Sequence, residues 1–397
     1  MKFLQSLQRF RMFRVEVKNN PGQFYRDAIA EIEWFNAKAG LNMFNRSVNL
    51  LNLNFCWMML MLVSNIYCAP ETVVFYRDDI DKVLMGVVTL GFLFQMTSKT
   101  YTFVIVRKKV VEIHEMNVEY FDSMLFNDMD VQDSLVENAM LTRFIIQMTS
   151  RIFPSLSMTL MFVPLFYSLI TSNLLLPYGF EITHSDTWLV YAINWAYQAS
   201  CSFYVVVITV TTESTFVLFL LTACGQIDTL ITLINQLNSK INSEESEEGI
   251  ALQLKKIVKL HQHHKLYIKK VKDLFKFYFL IAIASLCSVM TMSMAAVVLV
   301  KWYLGVIMFW FTSCQILFGC VLGTHWQIKN EQLLVKIASF DWYKLSTKNK
   351  KMILMFLKAS QTYTDLSAIL LPLNIGSYVQ IHKKVYSMFM LLVNVKE

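Results

Sequence analysis

The chain has 397 residues, of which 55% are hydrophobic and 16% are charged, and its formal net charge is +7. With a positive mean hydropathy of +0.43, this composition excludes an ordinary soluble protein and indicates an integral membrane protein. The positive charge lies between the apolar runs, as expected of cytoplasmic loops, so it gives no support for nucleic-acid binding.

Seven apolar windows of about 20 residues, the length that crosses the hydrocarbon core, follow one another along the chain. They are 47–67, 83–106, 152–173, 188–210, 277–300, 303–324 and 371–395. Continuous apolar runs predict helices and not the alternating strands of a barrel. We therefore predict an all-α integral membrane protein with seven transmembrane helices. Residues 1–46 are charged throughout and show no apolar signal segment, so we expect them to remain as a cytoplasmic N-terminal segment.

Lysine and arginine are distributed unevenly between the two sets of connecting segments. Residues 1–46, 107–151, 223–273 and 325–370 hold 28 of them, whereas 67–82, 174–187, the turn at 301 and the tail after 395 hold four. Because cytoplasmic loops retain positive charge, we predict a cytoplasmic N-terminus and an extracellular C-terminus. This is the reverse of a G-protein-coupled receptor. That class remains the alternative, and an extracellular N-terminus would favour it.

The apolar windows and the charged segments between them divide the chain into regions. Residues 47–222 carry transmembrane helices one to four with an outer ligand pocket, 277–324 carry helices five and six, and 369–397 form helix seven. Residues 223–276 keep a helical apolar period on both sides of the acidic stretch Ser243–Gly249, which predicts cytoplasmic extensions of helices four and five. Residues 325–368 add further cytoplasmic helices. These cytoplasmic parts are predicted to pack into an anchor domain, whose apolar stripes self-association would cover.

The charged segments contain one candidate metal site and no catalytic motif. His261, His263 and His264 lie beside Lys259 and Lys265, on what the sequence suggests is a basic solvated helix without a carboxylate to complete a site. We therefore expect no metal and no other cofactor. No phosphate loop, nucleophile elbow, catalytic carboxylate pair or His-Glu-x-x-His sequence occurs, so we do not expect an enzyme.

The outer halves of the second, third, fourth and sixth predicted helices are rich in aromatic side chains with hydroxyl groups among them. An apolar pocket with a few polar groups suits a small volatile ligand. Ordinary packing between membrane helices is the alternative, and both interpretations stay open. The predicted lining residues are Phe92, Phe94, Phe162, Phe166, Tyr197, Ser200, Tyr204, Phe309, Trp310 and Ser313.

The last predicted helix carries a polar stripe at spacings of three and four residues. Its members are Asn374, Ser377, Gln380, Lys384, Ser387, Leu391 and Asn394. A polar stripe in a membrane span predicts water on one side, and Leu391, its one large apolar residue, is typical of a hydrophobic constriction in a pore. Lys383 and Lys384 either line a wide aqueous vestibule or lie at the cytoplasmic mouth of a span that begins later.

The C-terminal third also carries a specific residue pattern. It comprises Gly323 and Glu331, then Ala338, Trp342, Tyr343, Leu345 and Ser346, then Lys350 and Lys351, Gln361, and Val385-Tyr386-Ser387 before a short hydrophobic end. This pattern resembles the signature region of the insect odorant receptors. The Leu176-Pro177-Tyr178 run is similar to the second extracellular loop of that family, and the span layout resembles it over essentially the whole chain.

The resemblance implies a heterotetrameric, ligand-gated, non-selective cation channel made with the family's shared coreceptor, in the plasma membrane of olfactory sensory neurons. A small volatile, membrane lipid and permeating cations are the implied partners. It places the gate at Leu391, a polar ring at Asn394 and the outer pore position at Val395, with Ser387 and Lys384 on the same helix. The coreceptor has a much longer loop between spans four and five, so the chain resembles a tuning (odour-binding) subunit. Gustatory receptors, a further alternative, typically end in a Thr-Tyr…Gln-Phe pattern that is absent here.

Overall fold

The computed structural model describes residues 21–45, 52–123, 128–184, 187–243, 245–361, 367–368 and 371–396. Residues 1–20 of the predicted N-terminal segment and residues 47–51 of the first predicted span lie outside this part of the chain. Within it the fold is all-α, apart from a two-residue antiparallel pair, β1 (Ser367–Ala368) and β2 (Leu371–Pro372). The helices are α1 (Pro21–Lys38), α2 (Leu53–Phe75), α3 (Ile80–Val104), α4 (Arg107–Asp122), α5 (Met129–Thr171), α6 (Trp188–Asn242), α7 (Glu247–Val300), α8 (Leu304–Ser339), α9 (Thr347–Gln361) and α10 (Ile375–Lys396).

Six of these helices, α2, α3 and α5 to α8, are long and apolar enough to cross a bilayer. They coincide with the first six apolar windows, and the chain is a multi-pass membrane protein. The criteria of length and composition that identify those six do not identify α10, which carries Lys383 and Lys384 near its middle. Its 22 residues nevertheless span about 33 Å, which is enough to cross the hydrocarbon core.

The longest helices, α6 and α7, have 55 and 54 residues, or about 80 Å each. The chain turns between them within 243–246, where the side chain of Ser246 caps α7 by accepting from Gly249 N–H at 3.2 Å. Glu247 and Glu248 lie in the first turn of α7, where carboxylates complement the helix dipole. We call the end of the bundle with this turn the extended end. The opposite end, with the α7–α8 turn at 301–303, is the short-turn end.

The beginnings of α2 and α5 differ from those of the predicted windows. The first apolar window begins at 47, but α2 begins at Leu53, because the side chain of Asn52 caps it by accepting from Asn54 N–H at 2.9 Å. The third window begins at 152, whereas α5 begins at Met129, behind the cap Asp128. Apolar windows miss amphipathic turns and capping residues, because both are set by hydrogen bonding and by one buried face.

The largest hydrophobic core lies at the extended end, where α1, α4, α5, α6, α7, α8 and α9 meet. Its largest fully buried side chains include Trp326, Tyr267, Phe216 and Phe219. Full burial of one such side chain stabilises the fold by about 1.5–3 kcal/mol, which makes this end a firm base for the rest of the bundle. Three smaller clusters pack the part of the bundle toward the short-turn end.

Candidate ligand cavity and last helix

A cavity lies between α2, α3, α5, α6 and α8 and beneath the connection from α5 to α6. Its volume is about 120 Å³, taken over the positions that the centre of a water-sized molecule can occupy. On the same definition a single water needs about 10–15 Å³. The space therefore suits one small organic molecule. The apolar part of the wall is formed chiefly by Met58, Met61, Leu62, Phe92, Leu93, Met96, Phe153, Leu156, Leu160, Phe180, Val205, Ile208, Met308 and Phe311.

The α5–α6 connection closes one side of the cavity with Tyr178 and Phe180. The buried amide of Gln198 on α6 holds it in place, accepting from Tyr178 N–H at 3.0 Å and donating to Phe180 O at 2.6 Å. Gly179 lies so close to α3 that an added Cβ would be 2.4 Å from Met85 C. The Gln198 side chain and the close backbone approach to α3 thus hold this irregular segment against the cavity.

Three hydroxyl groups in the cavity wall are hydrogen-bonded to one another. Ser157 Oγ and Ser202 Oγ are 2.6 Å apart, and Tyr178 OH is 3.2 Å from Ser202 Oγ. They join α5, α6 and the α5–α6 connection. Two hydrogen bonds use two of the three O–H donors, so one donor and further lone pairs in this group remain available to a polar ligand.

A buried ion pair lies beside the cavity. Lys99 Nζ on α3 and Glu213 Oε1 on α6 are 3.3 Å apart, and their side chains are 0% and 6% exposed. Glu213 Oε1 also accepts from Tyr278 OH at 2.7 Å and from Gln315 Nε2 at 3.0 Å. Such additional hydrogen bonds are what a buried pair requires to offset the loss of hydration. The pair ties α3, α6, α7 and α8 together.

Of the predicted pocket residues, Phe92 and Tyr204 line this cavity. The structure places the remaining eight elsewhere. Four of them are exposed on the outside of the bundle: Phe94, Phe162, Phe166 and Trp310. Tyr197 OH contacts Ser64 Oγ, and Ser200 Oγ accepts from the Trp57 indole. The other two, Phe309 and Ser313, face α10. These eight side chains are not brought together into one cavity.

The reason is the rotation of each helix about its axis. On α8 the cavity residues are Met308, Phe311 and Gln315, which share one face at spacings of three and four. The prediction selected Phe309 and Trp310, which point away from that face. Rotation is set by packing of the whole bundle, so counting aromatic residues along a span cannot find it.

The prediction also overlooked α2 and the amide and charged residues in and beside the cavity wall. Asn65 on α2 lines the cavity and donates to Met61 O at 2.9 Å. Lys99 and Glu213 were not singled out, although a charge in or beside an apolar window is the signal that could have found them. A systematic search for polar residues within the apolar windows would also have found Gln95 and Gln315.

The last helix, α10, packs on α7 and α8 through one narrow face. Ser377, Ile381, Val385 and Phe389 are buried there, four residues apart. A polar clasp reinforces the contact, because Ser313 Oγ on α8 lies 2.9 Å from both Tyr378 OH and His382 Nε2. Leu391 lies nine positions after His382 on α10, and Leu304, the first residue of α8, lies nine positions before Ser313. Leu391 is therefore level with the beginning of α8, at the short-turn end.

The predicted pore residues lie on the part of α10 that this chain leaves uncovered. Lys384, Ser387, Leu391 and Asn394 are exposed, Leu391 at 64%. Val395 lies within α10, and its side chain is outside the described residues. Lys383 and Gln380 are exposed as well.

The polar stripe of α10 is shorter than the sequence suggested. Ser377 is 5% exposed and lies on the packed face, and Asn374 Oδ1 accepts from Ser377 N–H at 2.8 Å. These two polar residues therefore belong to the start of the helix and its contact with α8. The uncovered stripe runs from Gln380 to Asn394.

Helix α8 stands between the cavity and α10. One of its faces carries the cavity residues Phe311 and Gln315, and another carries Ser313 and Ile316 against α10. A second close contact lies further along α8, where a Cβ at Gly323 would be 2.0 Å from Leu373 O. Ile375 N–H donates to Thr324 Oγ1 at 3.1 Å at the same level. Helix α8 is therefore in direct contact with both the cavity and α10.

The three histidines of α7 do not converge on one point. His264 is buried beside Gln226 Oε1, 2.9 Å from its Nδ1, and His261 is buried 3.3 Å from Ser360 Oγ. The expectation of a solvated helix was wrong here, because α9 and α8 cover these side chains with Phe356 and Trp326. Burial lowers the pKa of His261 to about 4 and that of His264 to about 3. Among the described residues no group of three or more histidine, cysteine, aspartate or glutamate side chains is arranged to hold a metal ion.

Comparison with known proteins connects this geometry to a family. The family model described as 7tm odorant receptor matches residues 79–386, well over half of the chain. Two solved structures of the insect olfactory receptor OR5 from Machilis hrabei are similar in fold. The one in complex with eugenol has a TM-score of 0.73 and 13% identity, covering 94% of this chain and 98% of that chain. The other has a TM-score of 0.73 and 14% identity, covering 93% and 98%. The chain therefore belongs to the 7tm odorant receptor family.

Proposed function

We propose that this chain is the tuning, odour-binding subunit of a ligand-gated, non-selective cation channel. The family is one of receptors and not of enzymes. The observation that carries the proposal is the position of α8, which lines the cavity with Phe311 and Gln315 and holds α10 with Ser313. A ligand that binds the open arrangement more tightly than the closed one shifts the population toward the open channel.

In this proposal α10 lines a central pore shared by four subunits, with the gate at Leu391 and a polar ring at Asn394. Support comes from the uncovered face of α10, which needs either water or a neighbouring subunit beside it. The helices at the extended end form the cytoplasmic anchor, and the short-turn end faces the exterior. The uneven lysine and arginine distribution supports this orientation.

The partner subunit in the proposal is the odorant coreceptor. The connection from α6 to α7 lies within 243–246, which is far shorter than the loop expected of a coreceptor. The proposed cell is the olfactory sensory neuron, and the proposed site of action is its plasma membrane. Eugenol, which is bound in the solved structure of the Machilis hrabei receptor, supports a neutral volatile of that size as the ligand class.

Current recordings from cells that express this chain with a coreceptor test the proposal. Volatile-evoked cation currents that require both subunits are expected. Replacing Leu391 with alanine should raise the leak current or alter permeation, because it widens a hydrophobic constriction. The neighbouring Leu392→Ala, about 100° round the same helix, is the matched control. Unchanged leak and permeation in Leu391→Ala would remove this residue from the gate.

Epitope tags test the orientation independently. A C-terminal tag should be accessible to antibody on intact cells, and an N-terminal tag only after permeabilisation. An accessible N-terminal tag would instead favour a G-protein-coupled receptor.

A further inference from the structure

Two polar atoms of the cavity wall lack a hydrogen-bond partner. Among the buried side-chain atoms without a partner in the described part of the chain, Gln95 Nε2 and Gln315 Oε1 belong to residues that line the cavity. Gln95 is only 3% exposed. Buried polar groups are nearly always hydrogen-bonded, so each of these two cavity-lining residues has one hydrogen bond unmet.

The orientation of the Gln315 amide is set by chemistry. Its Nε2 donates to Glu213 Oε1 at 3.0 Å. Glu213 Oε1 also accepts from Tyr278 OH and lies 3.3 Å from Lys99 Nζ, so it faces Gln315 as an acceptor. A reversed amide would bring two acceptor oxygens together, so Gln315 Oε1 must point away from Glu213. Gln315 therefore presents an acceptor and requires a donor.

Gln95 presents its amide near the same place. It precedes Lys99 by one helical turn on α3, so the two side chains lie on one face of that helix. Lys99 pairs with Glu213, which in turn holds Gln315. Gln95 therefore lies within one helical turn of the contact that holds Gln315, and both residues line the cavity. The hydroxyl groups of Ser157, Ser202 and Tyr178 each have at least one partner, so none of them is a wholly unpaired group.

We propose that the cavity selects neutral volatiles that carry a hydroxyl group, an alcohol or a phenol, whose O–H donates to Gln315 Oε1 and whose oxygen accepts from Gln95 Nε2. The inference rests on the proposed function and names the ligand class of the same cavity. An aldehyde, ketone or ether accepts from Gln95 but leaves Gln315 Oε1 unpaired. A hydrocarbon leaves both amides unpaired. A charged ligand finds no counter-charge, because Lys99 and Glu213 neutralise each other.

Size-matched compounds test the preference. Benzyl alcohol, benzaldehyde and toluene form one series, and hexanol, hexanal and heptane form another. In the complex with the coreceptor, the alcohol of each series should give a half-maximal concentration about tenfold or more below that of its aldehyde and hydrocarbon, since rejecting an unpaired buried group is worth at least that factor. The same order is expected in the thermal stabilisation of the purified complex.

Variants assign the preference to the amide. Gln315→Met keeps a similar volume but loses the acceptor together with the donor to Glu213, so it should raise the half-maximal concentration of the alcohols about tenfold relative to that of the hydrocarbons. Gln332→Met makes the same change on the exposed part of the same helix and should change neither. If a trapped water and not the ligand satisfies Gln315, the variant will affect all three compound classes equally, and the inference is overturned.

The two readouts separate this inference from the proposed function. Stabilisation by alcohols without any current supports the hydroxyl preference and counts against the channel. Currents with equal potency for alcohol, aldehyde and hydrocarbon support the channel and overturn the preference. Neither stabilisation nor current for any of the six compounds counts against both.

Discussion

Replacing Gly323 with alanine should disturb the start of the last helix. The Cβ of the new side chain would lie 2.0 Å from Leu373 O and 2.9 Å from Leu373 C, both atoms of the backbone. The backbone at Leu373 must therefore move away from α8 by about 1 Å or more, and overpacking of this kind costs about 1–3 kcal/mol. The displaced segment leads directly into α10, which begins at Ile375.

Gly319, one turn earlier on α8, is the matched control. An added Cβ there meets nothing within 4 Å. Alanine replaces glycine inside a helix with a gain of about 0.5–1 kcal/mol when no clash opposes it, so Gly319→Ala should be neutral or stabilising. The two variants carry the same chemical change with opposite expected signs.

Thermal unfolding of the purified complex and current recording together measure the effect. Gly323→Ala should lower the unfolding midpoint or, if the segment around Leu373 yields, keep the midpoint and change the fraction of open channels through α10. Gly319→Ala should do neither. Equal midpoints and equal currents for the two variants would refute the reasoning.

Two further predictions concern buried charge. Lys99→Met removes the cationic partner of the buried Glu213, which should destabilise the fold by about 3–5 kcal/mol. Combining Lys99→Met with Glu213→Gln should recover much of this loss in a double-mutant cycle of unfolding midpoints, and full additivity would argue against the ion pair. Burial lowers the pKa of His264 in the folded state to about 3, below an unfolded value near 6.5. The contribution of neutral His264 to the free energy of unfolding is therefore complete above about pH 7 and declines as the pH falls toward 3. At pH 5 this loss amounts to about 2 kcal/mol. His264→Gln should therefore lose less stability between pH 7.5 and pH 5 than the parent chain, and parallel pH profiles would contradict the assignment.

The positions of the membrane helices were accessible from the sequence because crossing a bilayer is a local requirement. A run of about 20 apolar residues satisfies it wherever it stands, and six of the predicted windows coincide with helices of suitable length and composition. The family was accessible for a similar reason, since its signature lies in short C-terminal segments. Much of the polar stripe of α10 could also be identified from the sequence, since the uncovered face of this helix carries Lys384, Ser387, Leu391 and Asn394.

The cavity was decided by tertiary structure. Which of Phe309, Trp310 and Phe311 faces it depends on the rotation of α8, and that rotation follows from packing against four other helices. Lys99 and Glu213 lie on different helices, so their pairing has no local signal. The same holds for Gln95 and Gln315, which line the cavity from different helices. The sequence by itself determined the helices and the family through local hydrophobic length and short motifs, whereas the ligand site required the packed bundle because its residues meet only across helices.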